Sequence, residues 1–333
     1  MGLFDKFKKN KDSENSAQET TEEVIESSAE GTDEQEPVTE PEKDNSTEST
    51  DSAQASENSD NSDSKAKESE KKPEFNRFTF VVEEVFPLEG KWGTTVTGDA
   101  HGKVSVGDEV YILSPVGNTF FKTKVSGIEV GDLPAKTAEN QSASLRFADL
   151  KEDTKIPKYC VISNIPPQQK LDINTAVENP FLLGFIAAYN KLSKDKNFLN
   201  LLIFHIVHAN LLAPIYTDSE PVNRGDGKTG FKPGTKIKFL SVSNPHNKGT
   251  HAFPVFTHWG AVGKWSNIFD ENHPPRTMIL RFPECVDIIS KSENNDGIVI
   301  NPFGPATLHL SKQLVNGIVK SEGYQKEFGK KNK

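Results

Sequence analysis

A chain of 333 residues with 39 Lys/Arg against 48 Asp/Glu has a formal net charge of −9, and that charge is unevenly spread. Residues 1–75 hold 9 Lys/Arg and 22 Asp/Glu, a net of −13, so the remaining residues sum to +4, far from the strongly basic signature of a dedicated nucleic-acid binder. The two cysteines, Cys160 and Cys285, lie far apart in apolar runs, which excludes a disulfide framework and a cysteine metal motif and reads as two reduced, buried thiols.

No apolar run approaches the roughly 18–20 residues that span a bilayer. The start lacks the apolar core and cleavage site of a signal peptide, so a cytoplasmic protein is expected. Residues 1–11, "MGLFDKFKKNK", place Leu3, Phe4 and Phe7 at helical spacing among Lys6, Lys8 and Lys9. A short basic amphipathic segment of this kind fits transient contact with a partner or with the inner face of a membrane. Lys6 stands where a myristoylation motif needs Ser or Thr. Residues 12–75 are Ser, Thr, Glu, Asp, Gln and Asn with almost no aromatics, a composition too polar to offset chain entropy. They read as a disordered acidic linker with a root-mean-square reach of about 40–50 Å.

Between 76 and 165 the pattern changes to alternating β-branched residues. "FTFVVEEVF", "GTTVTGDA", "DEVYIL", "FKTKVSGIEV", "SASLRF" and "KYCVISNI" predict six short strands and a small antiparallel β-barrel. Gly93, Gly98, Gly102 and Gly107 are placed in its turns. Residues 166–177 read as a linker. Residues 178–323 mix both periods and predict an α+β mixed-sheet domain. Asn179 and Pro180 open one helix as N-cap and first helical residue, and "KNFLNLLIFHIVHANLL" is a second. Strands follow at about 211–217, 236–243, 252–257, 277–282 and 297–300, with helices at about 259–268, 283–293 and 311–321. Residues 324–333 read as a basic tail. The fold class is therefore multidomain: acidic tail, six-stranded barrel, α+β domain.

Chemistry is sparse. The one near-match to a phosphate loop, "VNRGDGKTGFKPG", has Val222 at its first glycine position, and Pro233 and Gly234 break the helix that must follow. No GTP binding and no cofactor are expected. His205 and His208 are three apart in core-like sequence and read as packing histidines. The scattered His246, His251, His258, His273 and His309 show no zinc spacing. Cys285 at a helix start reads as a core thiol. Polar and aromatic residues gather only at "FTHWG" and "INPFGP". There Thr257, His258, Trp259, Trp265, Asn301 and Pro302 are expected to converge at one sheet edge as a recognition patch. Thr257 also reads as a cap for the helix after it.

Two resemblances sharpen this. Residues 78–164, on "VVEEVFPLEGKWGTTVTGDAHGKVSVGDEVYI", "TKVSGIEV" and "SASLRFADL", resemble domain 2 of the elongation factor Tu family, an accessory barrel that contacts RNA ends or neighbouring domains while GTP binds elsewhere. Asp99 stands where those factors commonly carry a basic residue. Residues 178–321, on "HAFPVFTHWGAVGKWSN" and "ECVDIISKSENNDGIVINPFGPATLHLS", resemble the SseB N-terminal domain family. Phe256, Thr257, Trp265, Asn301 and Pro302 match it, and His258 replaces the usual serine. Members of that family are bacterial, and the likeness implies a small non-enzymatic domain that meets other proteins. The resulting expectation is a non-catalytic adaptor that docks unidentified proteins, tethered near the membrane. An RNA- or ribosome-associated factor is the alternative.

Overall fold

The computed structural model describes residues 76–87, 94–117, 120–147, 150, 154–168, 171, 175–223, 229–243, 249–265, 276–304 and 306–329. The readings on residues 1–11, with Leu3, Phe4, Lys6, Phe7, Lys8 and Lys9, and on the acidic segment lie outside these, as do Gly93, His246 and His273.

The first lobe consists of β1 (Thr79–Val81), β2 (Glu84–Pro87), β3 (Thr94–Ser105), β4 (Glu109–Leu113), β5 (Phe120–Val130), β6 (Leu133–Ala135), β7 (Thr137–Phe147) and β8 (Val161–Ser163). In the order β1-β8-β4-β5-β7-β3, six of them close on themselves through the β1–β3 pairing, and every pairing is antiparallel. This is the expected six-stranded barrel, with β2 added beside β3 and β6 beside β5. Closure depends on β3, whose register shifts between Ala100 and Lys103. Gly98 is within β3 rather than in a turn: a Cβ there would lie 2.2 Å from the Val81 carbonyl oxygen. Gly102, at φ +82°, likewise faces the Arg77 carbonyl, so each glycine permits a backbone approach closed to other residues.

Alternation along β1, β4 and β8 sends Phe80, Ile112 and Ile162 into the barrel, while Val81, Leu113 and Val161 point outward. Those outward residues are also buried, because α1 (Pro180–Leu192) packs over them. Its run Leu182, Leu183, Gly184, Phe185 and Ile186 is buried without a polar break, the signature of a helix covered on more than one side. Gly184 marks the closest approach, with a Cβ there only 3.0 Å from Val161 Cγ1.

The second lobe begins with that helix and continues through α2 (Lys196–His208), β9 (Leu211–Thr217), β10 (Val222–Asn223), β11 (Thr229–Gly230), β12 (Ile237–Phe239), β13 (Val242–Ser243), β14 (His251–Val255), α3 (Trp259–Val262), β15 (Arg276–Leu280), α4 (Phe282–Ser290), β16 (Asn295–Ile300), β17 (Leu308–Ser311), α5 (Lys312–Lys320) and α6 (Glu322–Phe328). Strands β12-β9-β15 form one antiparallel sheet, and β13-β14-β16-β17 a mixed one in which β14 and β16 run parallel. Leu212 and Phe256 exchange backbone hydrogen bonds of 2.9 and 2.8 Å that join the sheets. Phe185, Phe198, Phe253, Ile298, Ile300 and Val315 fill a core continuous with Val81, Leu113, Tyr159 and Val161 of the barrel.

Three local differences separate the structure from these expectations. Helix α3 ends at Val262, short of the expected 268, and residues 266–275 lie outside the description. Strand β17, hidden beside the helical pattern of α5, pairs with β16. Helix α6 occupies the start of the expected tail: Ser321 accepts a bond from the Tyr324 amide, and Tyr324 and Phe328 pack back onto the core. Among the described residues no helix is long and apolar enough to cross a membrane.

Candidate functional site

Because β14 and β16 are parallel and in register at Val255 and Ile300, the residues that follow them emerge side by side. Asn301 continues the pairing by one bond, its amide donating to the Val255 carbonyl at 2.9 Å. It then turns the chain at φ 51°, a left-handed conformation that Asn tolerates better than most residues. Its side-chain oxygen accepts from the Thr257 amide at 3.0 Å, and its Nδ2 donates to Thr257 Oγ1 at 3.1 Å and to the Ala306 carbonyl at 3.4 Å.

Thr257 Oγ1 also hydrogen-bonds His258 Nδ1 at 2.8 Å and lies within donating distance of Asn301 Oδ1 at 3.3 Å. Burial, and secondarily the Arg77 charge, press the His258 pKa down to about 4. Thr257 does not cap α3; the N-cap residue is His258, and its side chain makes no capping bond. Nor does Asn179 cap α1 with its side chain. Its Nδ2 donates instead to the Asn210 and Thr257 carbonyls, both at 2.8 Å, and so pins the start of α1 to the end of β14.

Thr257 and Asn301 are almost wholly buried, and His258 nearly so. Thr257 and Asn301 spend their side-chain polar atoms on one another, on His258 Nδ1 and on the Ala306 carbonyl. Trp259, at 47 % exposure, and Phe303, at 45 %, stand on the surface beside them. Trp265 bridges inward, 5.1 Å from the Phe303 ring and 6.1 Å from the Phe256 ring, and Pro302 is half-buried. The six predicted residues thus divide into a buried polar knot and an aromatic rim.

The barrel reaches this knot through Arg77. Its guanidinium binds Glu178 through Nη2 at 2.6 Å and Nε at 3.2 Å. A Cβ on Gly260 would meet Arg77 Nη1 at 2.9 Å, so the glycine makes room for the arginine. Glu178 also lines a cleft of about 260 Å³ between the β4–β5 turn and the α1–α2 hairpin, with Val116, Phe181, Phe204, His205 and His208. His205 lies under the cleft in near-parallel contact with Phe181 at 4.8 Å, and its Nε2 bonds the Pro115 carbonyl at 2.8 Å. Burial lowers its pKa to about 4. His208 bonds the Phe204 carbonyl and Glu327. Both histidines are therefore held by packing and hydrogen bonds.

Cys160 and Cys285 are buried free thiols whose pKa burial pushes up to about 12. No group of three His, Cys, Asp or Glu able to hold a metal occurs among the described residues. Asp99 is engaged by Ser142 and by Lys191 Nζ at 2.9 Å, and Lys191 also binds Glu83 at 2.7 Å. Against the opposing effect of burial, the Ser142 and Lys191 bonds hold the Asp99 carboxyl below its usual range. The Arg77–Glu178 and Lys191–Asp99 pairs join residues 101 and 92 positions apart, and no local spacing signals them.

The family model for the SseB protein N-terminal domain matches residues 185–316, from within α1 through most of α5. That segment holds the knot and the aromatic rim, whereas Arg77 and the barrel precede it. No curated protein matches the chain.

Proposed function

We propose that this chain is a non-catalytic adaptor, a bacterial cytoplasmic protein that docks other proteins through the aromatic rim of its SseB-like domain. The observation that carries the reading is the division at the strand ends. Thr257 and Asn301 are buried in a shared hydrogen-bond network that also holds His258 by Nδ1, while Trp259 and Phe303 beside them remain about half exposed. Half-exposed aromatics on a rigid base are the usual energetic centre of a protein interface. A reaction centre needs polar groups that substrate can reach. The barrel, similar to domain 2 of elongation factor Tu, acts in this reading as a fixed docking support. Residues 1–11 place the assembly near a membrane. The occupied Asp99 favours this support role over an RNA contact.

The test is affinity recovery of the tagged full-length protein from its native cells, with and without nuclease, beside a Trp259→Ala/Phe303→Ala variant. A few defined proteins that survive nuclease and disappear in the variant are expected. Ribosomal proteins lost on nuclease treatment, with a steep salt dependence, overturn it in favour of the RNA-associated reading.

A further inference from the structure

The cleft between the β4–β5 turn and the α1–α2 hairpin is unused by the proposed interface, and its lining specifies an occupant. At about 260 Å³ it falls below the roughly 300–1,000 Å³ of small-molecule sites, a size suited to one or two anchoring side chains of a peptide. Val116 and Phe204 expose 47 % and 38 % of their surface there, beside Phe181. The polar groups offer little to a polar ligand. Both Glu178 oxygens are taken by Arg77, Gln168 binds the Ala176 carbonyl and the Glu178 amide, and Asn179 has donated both amide hydrogens. Among the described residues no lysine or arginine lines the cleft, and Glu327, bound to its lining residue His208, is half-exposed. The preferred visitor is therefore apolar and basic.

We infer that the cleft receives residues 1–11 of the same chain, with Phe4 and Phe7 as anchors and Lys6, Lys8 and Lys9 toward Glu327. Charge separates this segment from the rest of the N-terminal region. Residues 12–75 carry 21 Asp/Glu and 5 Lys/Arg and are disfavoured beside Glu327, whereas residues 1–11 carry 4 Lys and one Asp.

The attachment point also favours a contact within one chain. The described chain starts at Asn76, whose side chain bonds the Lys103 carbonyl, and the next residue, Arg77, is paired to Glu178 in the cleft wall. A flexible coil of 64 residues has a root-mean-square span of about 40–50 Å, and tethering on that scale gives an effective concentration of the order of a millimolar or below. A weak peptide contact is then populated without a second molecule. This inference rests on reading residues 1–11 as the amphipathic foot of the proposed adaptor. It makes that foot bistable, held in the cleft or released to a membrane or partner.

The test uses full-length protein with a benzoyl-phenylalanine photocrosslinker at Phe4, irradiated at low micromolar concentration and mapped by mass spectrometry. Crosslinks within one chain, centred on residues 115–117, 178–182 and 204–210, are expected. Val116→Glu and Phe204→Glu each reduce their yield about tenfold, the loss of one apolar anchor, with unchanged melting temperature. Crosslinks scattered over the surface, or unaffected by both substitutions, overturn the inference. Products that join two chains and rise with protein concentration also overturn it, in favour of a second copy as occupant. Since no membrane is present, failure here leaves the membrane contact of the foot to be judged separately by vesicle sedimentation.

Discussion

The hydroxyl of Tyr159, on the barrel, donates to Asp195, the residue that caps α2. One Asp195 oxygen accepts from the Asn197 and Phe198 amides at the helix start, and the other receives the tyrosine. The same carboxylate thus begins a helix of one lobe and fastens it to the other. Asp195→Ala is expected to cost about 1–2 kcal/mol through the lost cap, and Tyr159→Phe about 1 kcal/mol. In a urea double-mutant cycle the two fall short of additivity, since they share one contact. The Tyr159 bond, followed by the two amides, holds the Asp195 carboxyl below its usual range. The folded chain therefore binds fewer protons there, and this stabilisation is present above about pH 3.9 and lost as pH falls through the lower folded value. Asp195→Asn, which keeps a capping oxygen, flattens that acid limb.

Gly184 tests whether the lobes behave as one folding unit. Alanine at this position gains helix propensity worth about 1 kcal/mol but sets a methyl 3.0 Å from Val161 Cγ1, so Gly184→Ala is expected to be nearly neutral. Gly184→Leu has no such offset and loses about 1–3 kcal/mol by overpacking. Because the core runs from Val161 through Phe185 to Ile300 without interruption, both lobes should unfold in one transition in wild type. Urea titration followed by barrel and helix probes separately checks this: coincident curves in wild type and a split in Gly184→Leu.

The barrel was legible because its strands alternate, and the alternation of Phe80, Ile112 and Ile162 with outward neighbours is a purely local signal. That the outward set Val81, Leu113 and Val161 is also buried was present in the same strings, as short runs apolar on both faces. The uninterrupted apolar run of α1 carried the matching half of the message. The strand-end residues were legible as a group because Phe256–Thr257 and Asn301–Pro302 each follow an apolar strand. Which of them would be buried depended on β14 and β16 being parallel, a tertiary fact. The cleft had no signal at all, since its walls come from the β4–β5 turn and the α1–α2 hairpin.

His205 and His258 give the fold a pH dependence above the carboxylate range. Each is held to about 4 by burial, with Arg77 adding to the effect at His258, against about 6.5 in the unfolded chain. Between these values the unfolded state binds more protons, so the stabilisation is present above pH 6.5 and declines as pH falls toward 4. The slope is on the order of 1 kcal/mol per pH unit for each ring. His205→Phe lowers stability at pH 7 by losing the Pro115 bond, but its distinguishing effect is a shallower decline between pH 6.5 and 4.5. Urea midpoints across that interval measure it.

Asn301 combines a left-handed turn with side-chain hydrogen bonds to Thr257 and to the Ala306 carbonyl. Asn301→Gly accepts the turn and loses the bonds, for a cost of about 1–3 kcal/mol. Asn301→Ala loses the bonds and adds backbone strain of about 1 kcal/mol. The alanine variant is therefore expected to be the less stable of the two, as a lower melting temperature. The reverse order removes the turn from the account.

Trp259 and Phe303 separate docking from folding. Neither belongs to a buried cluster: Trp259 projects from the first residue of α3 and Phe303 lies against the Trp265 ring. Truncating them exposes no cavity, so Trp259→Ala and Phe303→Ala are expected to shift stability by less than about 1 kcal/mol. If the rim anchors a partner, each removes about 2 kcal/mol or more of binding, at least about thirtyfold in Kd. Thr257→Ala should show the opposite pattern, a clear loss of stability with partner affinity preserved in the folded fraction, because Thr257 is fully buried and meets no partner. Calorimetric titration of a recovered partner against the three variants, alongside their melting curves, checks the pair of patterns. Equal affinity in wild type, Trp259→Ala and Phe303→Ala would place the docking surface elsewhere on the chain.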